Sequence, residues 1–448
     1  MNTRQRSVSV RRFLAAALVS LGVAFPAIAD DVTLTVDNVQ QRYPWNGYVD
    51  IDYTITCANG AALGPDDNLE VLMIDKSVTP AVTNRAIRFL QVPLPMTEGR
   101  HRITWDARGD GVTGFTDKAT FQVKIAHYAA VYMVIDVSAG PGDDAVYHVD
   151  FLNREPAGGF GDEYYKTNAI VLRRIHPGSY VAGSPTDEYC ETGKRVAKHE
   201  ILRPVVITKP FYIGIYTVTQ KQYENVMGSN PVTAHLQQYP NLLGASRPVS
   251  WLSYNAIRGV NSVWPNGTPN ANSFLGKLLA KCRAKDPATG DYTVPVSGFD
   301  LPTEAQWEYA CRAGTTHAFN TTKAFANTQA GQKEAMDELG RYVDNGGGDT
   351  GSGCYAVVGS YQSNSWGLFD MHGNVWEFCR DWYMEDVLSQ PSPSVDPTGP
   401  TSGTDQRRVR RGGSYTLAPC RCRSASVGDS LMTAESRDVG FRLSRDLP

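Results

Sequence analysis

The chain has 448 residues, a formal net charge of -3 and eight cysteines. So small a charge excludes a nucleic acid or an anionic membrane surface as the main target, and the length points to two domains, each able to bury a core. Eight cysteines are too few for a disulfide-dense scaffold and enough for a few bridges, whose pairing the spacing alone leaves open.

Residues 1–29 read as a secretory signal peptide. Arg4, Arg6, Arg11 and Arg12 precede an apolar run from Phe13 to Phe25, and Ala27-Ile28-Ala29 supplies the small residues for cleavage before Asp30. The run falls short of the ~20 residues of a spanning helix. A cleaved signal makes the mature chain secreted or periplasmic, with no membrane span later in the sequence.

Residues 30–127 alternate with period two. Val49, Ile51, Tyr53, Ile55 and Cys57 share one face of a strand and Asp50, Asp52, Thr54 and Thr56 the other, and Val32 to Val36, Ile103 with Trp105, and Phe121 to Ile125 repeat the pattern. Turn clusters such as Asn59-Gly60 and Gly109-Asp110-Gly111 separate them, so the segment is expected to be an all-β immunoglobulin-like sandwich. It carries no catalytic grouping and reads as a structural or docking module. Residues 128–167, with Gly140-Pro141-Gly142 and Pro156-Ala157-Gly158-Gly159 among aromatics, read as a linker packed on a domain.

A loop-rich α+β domain is expected over 168–446. Thr219 with Gln222 and Thr303 with Gln306 are capping boxes opening helices that end at Gly228 and at Ala313-Gly314. Segments 254–263 and 273–283 also have helical apolar spacing, and after Gly314 the periodicity fades. The densest stretch is Gly367 to Tyr383, where Asp370 and Glu377 flank Gly373-Asn374, a pair that tolerates φ > 0 and turns the chain back. Two carboxylates on a tight loop suit a hard cation such as calcium. They equally suit an ordinary turn whose carboxylates cap backbone N–H groups, and Trp376 and Trp382 fit a core.

From here the residues carry a resemblance. Phe211-Tyr-Ile-Gly214, Tyr216-Thr-Val-Thr219, Arg247-Pro-Val-Ser-Trp251, Leu301-Pro-Thr-Glu-Ala-Gln-Trp-Glu-Tyr309, Gly373-Asn-Val-Trp-Glu377, Arg411-Gly-Gly-Ser414 and Gly440-Phe-Arg442 stand in one order over about residues 168–445. This resembles the formylglycine-generating enzyme, or sulfatase-modifying factor, family, and implies its C-type-lectin-like fold. The resemblance also implies a structural calcium ion on Asp370, Gly373, Val375 and Glu377, the first and last through side chains and the others through carbonyls. A second calcium loop around Asp344 and Asn345 matches too loosely to transfer.

Active members of that family hold copper on a cysteine pair, the first of which lies three residues after the serine of Gly-Gly-Ser. Here that position is Leu417, which leaves the copper-binding pair incomplete. Cys420 and Cys422 could replace it if they share one face of a strand, beside Ser414 and Trp376, which match residues lining the family's groove. The resemblance also implies a disulfide from Cys311 to Cys422 and, more loosely, one from Cys379 to Cys420. His372 reads as a packed or exposed turn residue rather than a ligand.

Two functions follow. One is an exported, non-oxidising member that binds a ligand or protein: an extended peptide, a cell-surface or periplasmic protein, or a glycan. The other is an active oxidoreductase that uses copper to convert a sulfatase cysteine to formylglycine. Leu417 favours the first.

Overall fold

The computed structural model describes residues 8–10, 32–42, 47–58, 67–75, 82–85, 89–91, 98–108, 119–127, 130–152, 155–156, 158–190, 196–260, 267–321, 325–346, 348, 353–387, 394–403 and 405–447. Contacts divide it into two compact units, Met1–Val131 with Gly178–Tyr180, and Tyr132–Pro177 with Val181–Pro448. Helices and sheets mix, with strands dominating. Among the described residues no helix is long and apolar enough to cross a membrane.

In the first unit the alternation read from the sequence folds as antiparallel sheet. One sheet has the order Val8–Val10, Val32–Gln41, Tyr48–Cys57, Gly99–Asp106, Phe89–Gln91, and the other Val82–Arg85, Asp67–Asp75, Ala119–His127. Val49, Ile51, Tyr53, Ile55 and Trp105 of the first join Val71, Met73 and Val123 of the second in one core, with Cys57 packed at its margin. Of the expected signal peptide, residues 1–7 and 11–29 lie outside the described residues. Val8–Val10 form an edge strand paired to Leu34–Val36, so cleavage after Ala29 would remove that strand.

The second unit is built on an eight-stranded sheet in the order Tyr292–Pro295, Cys282–Lys285, Tyr147–Leu152, Tyr132–Asp136, Ala169–Ile175, Phe211–Gly214, Ser444–Asp446, Phe299–Asp300. This corrects the linker expected over 128–167. Tyr132–Asp136 pairs with Tyr147–Leu152 on one side and Ala169–Ile175 on the other, and Met133, Ile135, Val137, Tyr147 and Val149 are core residues. The Gly-Pro-Gly that suggested a spacer is the loop between two neighbouring strands.

The helices form where their caps placed them. Gln220–Met227 starts at Thr219 with a complete capping box and stops at Gly228, at φ 86°. Glu304–Arg312 starts at Thr303 with the same box and stops at Ala313 and Gly314, both at positive φ. Tyr254–Arg258 is shorter than its apolar spacing suggested, and Phe274–Lys281 gives way to the strand Cys282–Lys285. Helix Gln329–Leu339, capped by Thr328, was not anticipated. Its apolar positions Ala335, Met336 and Leu339 are few, and a neighbouring cluster with Phe319, Tyr342 and Cys422 buries them.

A four-stranded sheet in the order Val427–Leu431, Arg407–Arg411, Trp376–Trp382, Val439–Phe441 carries the sequence blocks from Gly373 onward. Every residue of Trp376–Trp382 is buried. Its polar side chains therefore require partners inside the protein.

Candidate functional site

The stretch from Asp370 to Glu377 reverses direction at Asp370, Gly373 and Asn374, all at positive φ. Gly373 is required: a Cβ there would lie 2.2 Å from the Arg341 carbonyl oxygen. The turn delivers Glu377 into strand Trp376–Trp382, opposite Arg411 of Arg407–Arg411 and in parallel register with Gly440.

Glu377 is 1 % exposed. Its Oε2 accepts from Trp307 Nε1 at 2.6 Å and Arg442 Nε at 3.0 Å, and its Oε1 accepts from Arg442 Nη2 at 2.9 Å and Thr217 Oγ1 at 3.1 Å. A carboxylate offers about four acceptor positions, and these donors fill them. Glu377 is thus the anion of a buried ion pair, and the residues present do not fit it as a calcium ligand.

Asp370 behaves differently. It is 2 % exposed, its Oδ2 accepts from the Gly359 N–H at 2.7 Å, and its Oδ1 has no hydrogen-bond partner among the described residues. Burial, reinforced by the charge of Glu377, pushes its carboxyl up to about 6 against the pull of Arg442. A buried carboxylate oxygen without a donor fits a cation. The four-residue calcium set therefore fits at Asp370 and fails at Glu377.

Around the Arg411-Gly-Gly-Ser414 turn, the chain comes too close for a side chain at Gly413, where a Cβ would lie 2.6 Å from both the Arg421 carbonyl oxygen and Cys422 Sγ. Ser414 Oγ is buried and donates to Asp438 Oδ2 at 2.9 Å, and Thr416 and Ser436 donate to the same carboxylate. The guanidiniums of Arg410 and Arg421 both lie over the indole of Trp376, at 5.0 and 5.7 Å from the ring centre. Ser414 and Trp376 are brought into one region by Asp438, whose carbonyl accepts from the Trp376 N–H at 2.8 Å.

The cysteines do not form the expected arrangement. Leu417 packs against the main core of the unit. Cys420 and Cys422 lie not on a strand but in and just after the 3₁₀ turn Pro419–Arg421, started by Pro419. With three residues per turn, positions two apart point in different directions. Cys422 Sγ lies 3.8 Å from the Ala418 carbonyl and 3.9 Å from that of Ser414, and burial pushes its thiol up to about 12. These residues do not fit copper as a thiolate pair.

Neither disulfide implied by the resemblance is present: Cys311, Cys379 and Cys422 are thiols. Cys311 Sγ sits 3.7 Å from Ser424 Oγ and 3.8 Å from His372 Nε2. His372 explains the separation. Its ring stands between the two segments, Nδ1 donating to the Cys422 carbonyl at 2.7 Å and Nε2 accepting from the Asn320 N–H at 3.2 Å, and burial lowers it to about 4, so it is neutral. Asp344 and Asn345 form a short 3₁₀ turn, where Asn345 Oδ1 accepts from the Tyr342 N–H and so caps the chain rather than presenting a cation loop.

Sequence reasoning missed a cluster of buried ions beside this region. Glu308 accepts from Arg312 at 2.7 Å and from Arg411; His199 Nε2 lies 2.6 Å from Glu304; Arg258 pairs with Asp300 at 3.0 Å. Asp381, 2 % exposed, accepts from the Glu304 N–H, and burial together with the charge of Glu304 pushes it up to about 7. Glu304 and Glu308 lie in the capping-box block and Asp381 in the densest stretch, so the positions were visible while their pairing was not.

Comparison with known proteins places this geometry. The family described as sulfatase-modifying factor enzyme 1-like domain matches residues 166–447. A formylglycine-generating enzyme of Streptomyces coelicolor is 37 % identical over 156 residues, 34 % of this chain and 48 % of that protein. Chaperone protein LppX of Paenibacillus barcinonensis is 31 % identical over 198 residues, 40 % of this chain and 64 % of that protein. This chain thus spans about half the length of the first and less than two thirds of the second. Among solved structures, Treponema denticola variable protein 1 superposes with a TM-score of 0.45 at 24 % identity, covering 62 % of this chain and 96 % of that one. With the family matching well over half of the residues, the chain belongs to the sulfatase-modifying factor, or formylglycine-generating enzyme, family.

Proposed function

We propose that this chain is an exported, non-oxidising member of the family that binds an extended peptide, a protein or a glycan on a C-type-lectin-like domain, with the first unit serving as an immunoglobulin-like spacer. One observation carries the reading: where the family's thiol pair is expected, Leu417 packs, partly buried, against the core, while Cys420 and Cys422 are buried and diverge from a 3₁₀ turn. The similarity to a protein named as a chaperone, LppX, supports a binding role. The Arg-rich leader and the Ala27-Ile28-Ala29 site support export. Calcium, in this reading, is a structural ion held at Asp370 with the carbonyls of Gly373 and Val375, while Glu377 serves the ion pair with Arg442.

The test is direct. The purified chain, given copper, oxygen and a Cys-x-Pro-x-Arg peptide, is expected to leave the peptide mass unchanged. Formation of the aldehyde would overturn the proposal and establish the alternative, a formylglycine-generating oxidoreductase, which the 37 % identity to the Streptomyces coelicolor enzyme supports.

A further inference from the structure

Three arginines buried in the second unit each meet a carboxylate: Arg258 pairs with Asp300 at 3.0 Å, Arg423 with Glu200 at 2.7 Å and Arg442 with Glu377 at 2.9 Å. Arg410 does not. Its Nε is buried without a hydrogen-bond partner, and among the described residues no carboxylate forms an ion pair with it, although the residue as a whole is partly exposed. Its guanidinium shares the indole of Trp376 with that of Arg421, which is partly exposed too. Both arginines rest on Val427-Gly428: a Cβ on Gly428 would lie 2.9 Å from Arg410 Nε, and Arg421 Nη2 donates to the Val427 carbonyl at 3.2 Å. The neighbouring carboxylates are engaged. Asp429 pairs with Arg407, and Asp438 accepts from Ser414, Thr416 and Ser436. Burial lowers the Arg410 guanidinium below its ordinary value, against the pull of Asp438 and Asp429 and with the push of Arg421 and Arg407. A partly desolvated cation without an acceptor is unfavourable, and an incoming anion relieves it. Arg408, two residues earlier on the same face of the strand, also has bare guanidinium nitrogens, but it is 0 % exposed and stacked on Trp382, out of a ligand's reach.

We infer that Arg410, in the field of Arg421, receives a carboxylate of the ligand, and that the ligand is an acidic peptide segment. A guanidinium presents a planar fork of N–H donors that matches a carboxylate in shape and charge. A sulfated glycan brings anions as well, but a sugar ring is held by stacking on an open aromatic face, and Trp376 is 1 % exposed. The hydroxyls of Ser414, Thr416 and Ser436 keep Asp438 occupied, so its charge is held away from Arg410 and the fork stays available. The inference rests on the reading of this chain as a binding protein and names the class of its ligand.

The experiment follows the fluorescence anisotropy of dye-labelled pentaglutamate and pentaglutamine on the full purified chain at low salt. Pentaglutamate is expected to bind about tenfold more tightly, with the difference shrinking as salt is added. Arg410→Gln is expected to lose that preference and Arg410→Lys to keep part of it. Arg100→Gln, the same change of charge at a 73 % exposed side chain in the first unit, is expected to keep it whole. Because the two peptides are compared on the unaltered chain, a variant that fails to fold leaves the test intact. Equal binding of the two peptides, or a preference that survives Arg410→Gln, would overturn the inference, as would a chondroitin sulfate tetrasaccharide that binds through Arg410 when pentaglutamate does not. Assaying the same preparation for the aldehyde separates the two readings. Aldehyde formation overturns the non-oxidising function and leaves Arg410-dependent binding standing, whereas an unchanged Cys-x-Pro-x-Arg peptide with no preference for pentaglutamate overturns only the acidic ligand.

Discussion

Glu377 and Asp370 show how one residue class acquires opposite roles from its surroundings. Glu377 is saturated by donors, and Arg442, 0 % exposed on its side chain, is its cation. Replacing Glu377 with glutamine leaves that guanidinium buried against a neutral amide. The expected cost is on the order of 3–5 kcal/mol, seen as a lower urea midpoint with or without calcium; a midpoint within error of the unaltered chain would show that the pair is not what holds the strand. Asp370 has the vacant oxygen, so the metal test belongs there. A chelator is expected to lower the melting temperature of the unaltered chain and to leave that of Asp370→Ala unmoved, because alanine removes the oxygen ligand; a chelator without effect on the unaltered chain removes calcium from the account. The sequence exposed both carboxylates as a pair in one loop. It could not rank them, because Thr217 stands 160 residues before Glu377 and Arg442 stands 65 after it.

Among elements, those with a local cause were legible. The capping boxes at Thr219 and Thr303 satisfy helix N–H groups from within four residues, so the spacing of Thr and Gln was enough to place them. The segment 128–167 was misread because its strands are defined by partners rather than by their own pattern. Tyr132–Asp136 is buried almost throughout, so the alternation that marks a half-exposed strand is missing. This bears on truncation. A chain starting at residue 168 loses Met133, Ile135, Val137, Tyr147 and Val149 from the core. At about 1.5–3 kcal/mol each, that reaches the ~5–15 kcal/mol that keeps a domain folded. Residues 132–448 are expected to give a cooperative melt and a near-ultraviolet dichroism signal that residues 168–448 lack; equal melts from the two fragments would return the segment to the status of a linker. Whether Cys420 and Cys422 share one face of a strand was left open by the sequence for a related reason. Proline after Ala418 starts a 3₁₀ helix as readily as it interrupts a strand, and the contact of Gly413 with Cys422 and Arg421 supports the helix.

For the whole molecule, the sequence by itself determined the family, the order of its blocks, the antiparallel character of the first unit and the boundaries of the two helices opened by capping boxes. These depend on residue identity, short-range spacing and period-two alternation, which are written along the chain. Only the tertiary structure decided which carboxylate is saturated and which is bare. Buried polar atoms take their character from whatever donor or acceptor the fold brings within hydrogen-bonding distance. Thr217 and Glu377, and Glu377 with Arg442, are separated by far more chain than any local pattern can span.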